Sequence, residues 1–346
     1  MRFCYIRTKN NYAPDKHLID GLGENGHTVI EIIEENLGIK KYAQLGAKFL
    51  KNKGSCDAVI VGYTLPHFVP LIRFLTRKKI IFSAVASQYE ASVISRNNQN
   101  PWSLRAVKMW LIDFFSFHLS SKILLESGAQ VNFLHDLLII PRKKLVRSWI
   151  GVDEKVFFRD PSIKKHPKFT VLFRGKFLPE SGIDTIIRAA KLLENKEVYF
   201  LIIGHGFLYK IVNSLIAELK PKNLSINQEI LPNDELRENM LPCHVSLGQL
   251  AQHPRLSRTL PFKLYESLAL GLPYLTGKNP AILELLKDGT TCVTVEPGSP
   301  AELANKILFL KNNPAILKKI GEMGYKLYKE KLTSKKLAQG FIESCF

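Results

Sequence analysis

The segment Pro261-Phe-Lys263-Leu-Tyr-Glu266-Ser-Leu-Ala-Leu-Gly271-Leu-Pro273 has the residue types and spacing to hold a nucleotide. Proline opens a helix where its missing N–H costs little, and Gly271 with Pro273 ends it before the next strand. The first turn of such a helix leaves backbone N–H groups unpaired and carries the positive end of the helix dipole, which suits a phosphate. Lys263 adds a charge beside them. Glu266 lies one turn further on, where a carboxylate accepts two hydrogen bonds from ribose hydroxyls. The same spacing also describes a capped surface helix with an i,i+3 Lys–Glu pair, and spacing alone does not choose between the two.

A second stretch, Phe173-Arg-Gly175-Lys176-Phe-Leu-Pro-Glu-Ser181-Gly182-Ile-Asp184, joins a predicted strand to a predicted helix. Gly175 lets the backbone bend or approach a ligand closely, and Lys176 has the reach for a pyrophosphate. A third, Ile202-Ile-Gly204-His205-Gly206, closes another strand. A GxG of this kind also serves turn geometry alone.

Holding these segments requires strands that run into helices. Phe3–Arg7, Thr28–Ile33, Ala58–Gly62, Ile80–Ala84, Lys122–Leu125 and Lys144–Trp149 read as strands, with Asp15–Asn25 as the first helix. The runs Ala58–Gly62 and Ile80–Ala84 are continuously apolar, as strands buried on both faces of a parallel sheet are. After Gly151–Asp153 the alternation restarts. Phe169–Phe173, Val198–Gly204, Leu224–Ile226, Val245–Leu247, Tyr274–Thr276 and Cys292–Val295 read as strands. Helices fall at Gly182–Leu193, Leu208–Leu219, Pro261–Leu270, Ala281–Leu286, Pro300–Leu310 and Pro314–Glu330. The pattern predicts an α/β chain of two doubly wound Rossmann-like domains facing a cleft. They occupy residues 1–150 and 151–330, and a C-terminal helix in 331–346 crosses back to the first.

The 346 residues are 46% hydrophobic and 23% charged, enough apolar material for two cores and not the composition of a disordered chain. The formal charge is +18, and between Asn36 and Trp110 twelve Lys or Arg face two acids, Asp57 and Glu90. Such a surface suits nucleic acid, anionic lipid or phosphorylated substrates, or is simply solvated. Cys4, Cys56, Cys243, Cys292 and Cys345 have no metal-type spacing and read as reduced thiols of a cytosolic protein. Met1–Arg7 is too short for a signal peptide, and no apolar run reaches the roughly 18 residues of a membrane span. The expected location is cytoplasmic, peripheral on the inner face of the cell membrane.

Taken together, these motifs resemble those of family-4 retaining glycosyltransferases, written roughly F-x-G-x-F-x-P-x-x-G-I-D, then I-I-G-x-G, then P-x-K-x-Y-E-x-x-A-x-G-x-P. Here they stand at Phe173–Asp184, Ile202–Gly206 and Pro261–Pro273, with Gly151-Val-Asp153 and Pro297-Gly298 also fitting. The resemblance implies a GT-B fold, a nucleotide-sugar donor in the C-terminal half, an acceptor in the N-terminal half, and no tightly bound metal or other cofactor. It implies that Glu266 holds the ribose, that Lys176 and the backbone of Phe262 and Lys263 hold the diphosphate, and that Gln228–Leu231, with Ile230, passes near the base. Gly175 and Gly204 then line the donor. Transfer proceeds with retention, and UDP-sugar is expected ahead of GDP-sugar. The acceptor is a lipid-linked compound or a saccharide.

Four departures qualify that picture. Arg258 occupies the place of a common Glu that contacts the donor sugar, and Ser181 that of a second pyrophosphate Lys. Arg258 or Lys263 then supplies the missing charge. Asn10-Asn11-Tyr12 replaces the usual N-terminal Gly-Gly loop, and Ser87-Gln-Tyr89-Glu90 the usual His. Glu90 follows a predicted buried strand, at the end facing the ligand in such domains. It orients an acceptor hydroxyl, stabilises charge on the reacting sugar, or is a structural carboxylate. His67 lines the cleft or is structural. Leu37–Lys53 reads as a basic amphipathic helix for membrane or acceptor contact, and the aromatic Trp102–Phe117 as a helix packing on the first sheet. Two rival readings keep other classes open: an epimerase or phosphorylase on the same fold, and a non-catalytic membrane scaffold or basic nucleic-acid binder. The chain carries no RNP, zinc-finger or clear helix-turn-helix signal for the last.

Overall fold

In the computed structural model, residues 1–9, 12–34, 38 and 40–346 are described. Asn10 and Asn11 of the N-terminal turn, and Leu37 and Ile39 of the basic segment, lie outside them. The chain forms two compact units, Met1–Asp153 with Leu332–Phe346, and Glu154–Lys331.

The first unit runs β1 (Arg2–Thr8), α1 (Ala13–Glu24), β2 (Thr28–Glu34), α2 (Lys40–Asn52), β3 (Ala58–Val61) and α3 (Phe68–Leu75). It continues through β4 (Lys79–Val85), α4 (Leu104–Leu119), β5 (Lys122–Leu125), α5 (Gly128–Leu138) and β6 (Leu145–Arg147). Its six strands pair in the order β2-β1-β3-β4-β5-β6, all parallel. The strand period of two assigns the side chains to two cores. Phe3, Tyr5, Ala58, Ile60, Ile81 and Leu124 pack with α1 on one face. Cys4, Ile6, Val59, Val61, Ile80 and Phe82 pack with α2, α3, α4 and α5 on the other.

The second unit runs β7 (Phe169–Arg174), α6 (Ile183–Leu192), β8 (Val198–Ile203), α7 (Tyr209–Leu219), β9 (Leu224–Asn227) and α8 (Asn233–Met240). Then come β10 (Val245–Leu247), α9 (Phe262–Ala269), β11 (Tyr274–Gly277), α10 (Pro280–Leu283), β12 (Val293–Val295), α11 (Pro300–Asn312) and α12 (Pro314–Lys331). These strands are also all parallel, in the order β12-β11-β10-β7-β8-β9. Two parallel six-stranded sheets with flanking helices are the doubly wound pattern expected above. The last helix, α13 (Ser334–Cys345), lies in the first unit against α1. Gly21 permits that approach: a Cβ there would come 2.0 Å from the Ser334 carbonyl oxygen.

Two findings differ from the sequence expectations. α8 has a single buried residue, Met240, so no apolar period marks it as a helix. α2 does not offer its apolar face to solvent, because Leu45 and Phe49 are buried in the core of the first unit and Tyr42 packs against it. The membrane expectation for Leu37–Lys53 is corrected accordingly. Among the described residues no helix is long and apolar enough to cross a membrane.

Candidate functional site

The second sheet leads outward from β7 to β8 and β9, then returns to place β10 on the other side of β7. The crevice beyond the carboxyl ends of β7 and β10 is where such a sheet binds ligands, because the loops diverge there. Gly175 follows β7 with φ +139, a conformation open to glycine, and donates its N–H to the Ile203 carbonyl at 2.9 Å. The Phe177 N–H reaches the His205 carbonyl at 2.8 Å. These bonds lock the loop after β7 onto the loop after β8. A Cβ at Gly204 would stand 1.9 Å from the Gly175 carbonyl oxygen, so that glycine is a packing requirement. Gly204→Ala is expected to cost about 1–3 kcal/mol as the two loops separate; chemical denaturation checks this, and an unchanged midpoint would show that the loops yield freely.

Ser181 is buried and donates its hydroxyl to the Leu178 carbonyl at 2.6 Å. It closes a short 3-10 turn. Gly182 follows with φ +68, and a Cβ there would meet Ala251 N at 2.4 Å.

The charges of the site come from β7 and α9. Pro261 starts α9, and Leu264 N bonds back to the Pro261 carbonyl at 3.0 Å. The Phe262 and Lys263 N–H groups are thereby left at the helix end. The Lys263 side chain is buried, with Nζ 3.6 Å from the centre of the Phe173 ring and 3.4 Å from Gln249 Oε1. It lies against Gly175, whose added Cβ would sit 3.1 Å from that Nζ. Burial pushes the Lys263 ammonium well below its ordinary range, the Arg174 charge pushes it further, and Glu180 opposes both. Arg174, at the end of β7, is itself pushed down to about 10 by burial. It forms an ion pair with Glu266, the two side chains being 17% and 11% exposed. Arg255 faces Glu180 at 3.9 Å. A buried ammonium is disfavoured by its own desolvation and by a nearby guanidinium, and an anion bound beside it relieves that cost.

Within the second unit the expected residues therefore fall into three places. Gly175, Gly204, Phe262, Lys263 and Glu266 gather at the switch between β7 and β10, with Lys176 exposed on the same loop as Gly175. Arg258 ends the turn Pro254–Ser257 that precedes α9, and is half-buried. Gln228, Ile230 and Leu231 follow β9, two strands away from β7; Gln228 Nε2 donates to Asn213 Oδ1 at 3.4 Å, and Ile230 is exposed. A cavity of about 800 Å³ in this unit lies at the opposite ends of the strands, beside Phe169, Tyr199, Asn223 and His244, and holds none of them.

Glu90 belongs to the first unit and is fully buried, with its carboxylate accepting from the Ser95 hydroxyl and its N–H donating to Ser87 Oγ at 2.9 Å. Asp113 supports the same turn, accepting from Ser87 Oγ at 2.6 Å and Tyr89 N at 2.8 Å. Burial first, then the Glu90 charge, pushes the Asp113 carboxyl up to about 6 from 3.8. A raised carboxyl binds its proton more tightly when folded. Its stabilisation is complete below the unfolded value and is lost as pH rises through the folded one, by up to about 3 kcal/mol. Asp113→Asn keeps an acceptor oxygen and removes the ionisation. The stability of wild type relative to this variant should fall between pH 4 and pH 7 in urea titrations; a constant difference would refute the assignment. His67 is held among Tyr42 and Phe68, and burial lowers it to about 4.

Arg174, Gln249 and Asp113 carried no sequence expectation. A charge at the end of an otherwise apolar strand is the signal that marks Arg174 in retrospect.

The family model described as "Glycosyl transferases group 1" matches residues 154–327, half of the chain. An uncharacterized glycosyltransferase of Methanocaldococcus jannaschii is 30% identical over 172 residues, 49% of this chain and 45% of that protein. Alpha-D-kanosaminyltransferase of Streptomyces kanamyceticus is 23% identical over 154 residues, 44% of this chain and 39% of that one. The chain thus spans less than half the length of these curated relatives. The crystal structure of HepE from Anabaena in complex with UDP is similar over 99% of both chains, with 14% identity and a TM-score of 0.72, a likeness of fold.

Proposed function

The chain belongs to the glycosyl transferases group 1 and has a GT-B fold, and from that premise we propose that it transfers a sugar from a nucleoside-diphosphate sugar to an acceptor. The observation that carries the reading is the buried Lys263 ammonium, with the partly buried Arg174 guanidinium near it, at the β7–β10 switch beside Gly175. Arg174 is already paired with Glu266, so the charge that a diphosphate balances is that of Lys263.

In this reading Lys263, Lys176, Arg258 and the N–H groups of Phe262 and Lys263 stabilise the charge that develops on the departing diphosphate, an electrostatic route to a lower barrier. Glu266 holds the ribose on the side not taken by Arg174. Gln228, Ile230 and Leu231 flank the base, and Gly204 keeps the loop over the donor close. UDP is the expected diphosphate, supported by the UDP complex of HepE. Transfer occurs with retention and without a tightly bound metal or other cofactor. The first unit receives the acceptor, lipid-linked or saccharide, at the cytoplasmic face of a membrane, supported by the basic excess of that unit. Glu90, buried on Ser95, acts by shaping the turn at the end of β4 and not by touching sugar.

Thermal shift with UDP, GDP, ADP, TDP and CMP tests the donor site, repeated on Lys176→Ala. Stabilisation by one diphosphate, reduced in the variant, supports the reading. No shift with any nucleotide overturns it in favour of a scaffold.

A further inference from the structure

The α4 helix of the first unit carries an apolar stripe that is open to solvent. Leu104, Val107, Leu111 and Phe115 recur at spacings of three and four along one line of the helix, and all four are exposed, Leu104 at 91%. Trp102, just before the helix, is also 91% exposed, and Phe74 on α3 is 88% exposed. Arg73, the residue before Phe74, donates to the Leu119 carbonyl at 3.1 Å, so the C-terminal ends of α3 and α4 meet. The opposite line of α4, Ala106, Asp113, Ser116 and Phe117, is the buried one. The inner face is therefore satisfied, and the outer one is a second apolar face.

Charge identifies what covers it. The helices α2, α3 and α4 contain seven Lys or Arg and one acid, Asp113, which is buried. Arg105 and Lys108 flank the stripe, and both are exposed. Two copies of such a face would bring like charges together, whereas an anionic lipid surface is attracted to each Lys or Arg and takes the apolar side chains among its acyl chains. An exposed Trp at the edge of the stripe fits the headgroup boundary, where its ring is apolar and its N–H meets water.

We propose that the outer face of α4, extended by Trp102 and Phe74, docks this chain on an anionic bilayer. The proposal deepens the membrane reading above and rests on it. It also moves the contact from α2, whose apolar residues the sheet already covers.

Co-sedimentation of the full chain with vesicles of pure phosphatidylcholine, and of equimolar phosphatidylcholine and phosphatidylglycerol, tests it. Wild type should bind the second and not the first. Leu104→Ser with Phe115→Ser should weaken binding by about tenfold or more, since each loses a buried apolar side chain. Arg105→Glu with Lys108→Glu should weaken it similarly and keep the wild-type melting temperature, because both residues are exposed, while the first pair should stay folded with only a small fall, because Leu104 is exposed and Phe115 half-exposed. Brominated lipid should quench the tryptophan emission of wild type but much less that of Trp102→Phe. If wild type binds neither vesicle, the membrane reading itself fails. If wild type binds and the α4 variants bind equally well, that reading survives and the docking face is elsewhere. Loss of self-association in the variants, with vesicle binding intact, would assign the stripe to a second copy and overturn the proposal.

Discussion

Lys263→Met is expected to weaken binding of the stabilising nucleoside diphosphate by about 10- to 100-fold, the worth of a charged hydrogen bond, while leaving the melting temperature unchanged or raised. The two effects have opposite signs for one reason. Without an anion, the Lys263 ammonium is buried against Phe173 and pushed well below its ordinary range by burial and by Arg174. Methionine fills a similar volume and removes that cost. With a diphosphate present, the same charge is the favourable partner. Calorimetric titration and thermal unfolding of the two proteins check the pair of results. Equal binding would remove Lys263 from the site, and a large loss of stability would make it a structural lysine.

Glu266→Ala should be harsher. It leaves the Arg174 guanidinium without its ion-pair partner in a site where the two side chains are 17% and 11% exposed. Breaking a fully buried pair costs about 3–5 kcal/mol, and the residual solvent access here lowers the expectation to about 2–3 kcal/mol. Replacing both residues, Arg174→Met with Glu266→Leu, should recover most of that stability, because an apolar pair needs no compensation. Nucleotide binding should stay lost in the double variant, since neither the ribose carboxylate nor the guanidinium returns. Denaturant titration and calorimetry separate the two effects. A double variant that binds like wild type would show that the pair is a fold element alone.

Much of this architecture is legible in local pattern. Ala58–Val61 is apolar at every position because a parallel strand is covered on both faces, and that run marks β3 without any neighbour. Repeated in two halves, such runs separated by helical stretches describe two doubly wound sheets. The glycines also speak locally of close approach, although only the fold reveals that Gly204 gives way to the Gly175 carbonyl oxygen. Pro261 and Gly271 bracket α9 for reasons of backbone geometry that no partner alters.

What tertiary structure decided concerns partners far apart in the chain. Arg174 and Glu266 meet because the chain returns past β7 to lay α9 beside it, and no spacing rule connects residues so distant. Ser181 reads as a vacant charge position, yet the turn it closes makes it a buried hydroxyl bound to Leu178. The two basic helices show the limit most plainly. Periodicity in Leu37–Lys53 and in Trp102–Phe117 shows that each has an apolar line, which follows from residue order and the helical repeat. Which line meets the sheet and which meets solvent depends on how many apolar faces a helix carries and how much of it the sheet covers. α2 has one face and buries it, whereas α4 has two and the sheet takes only one.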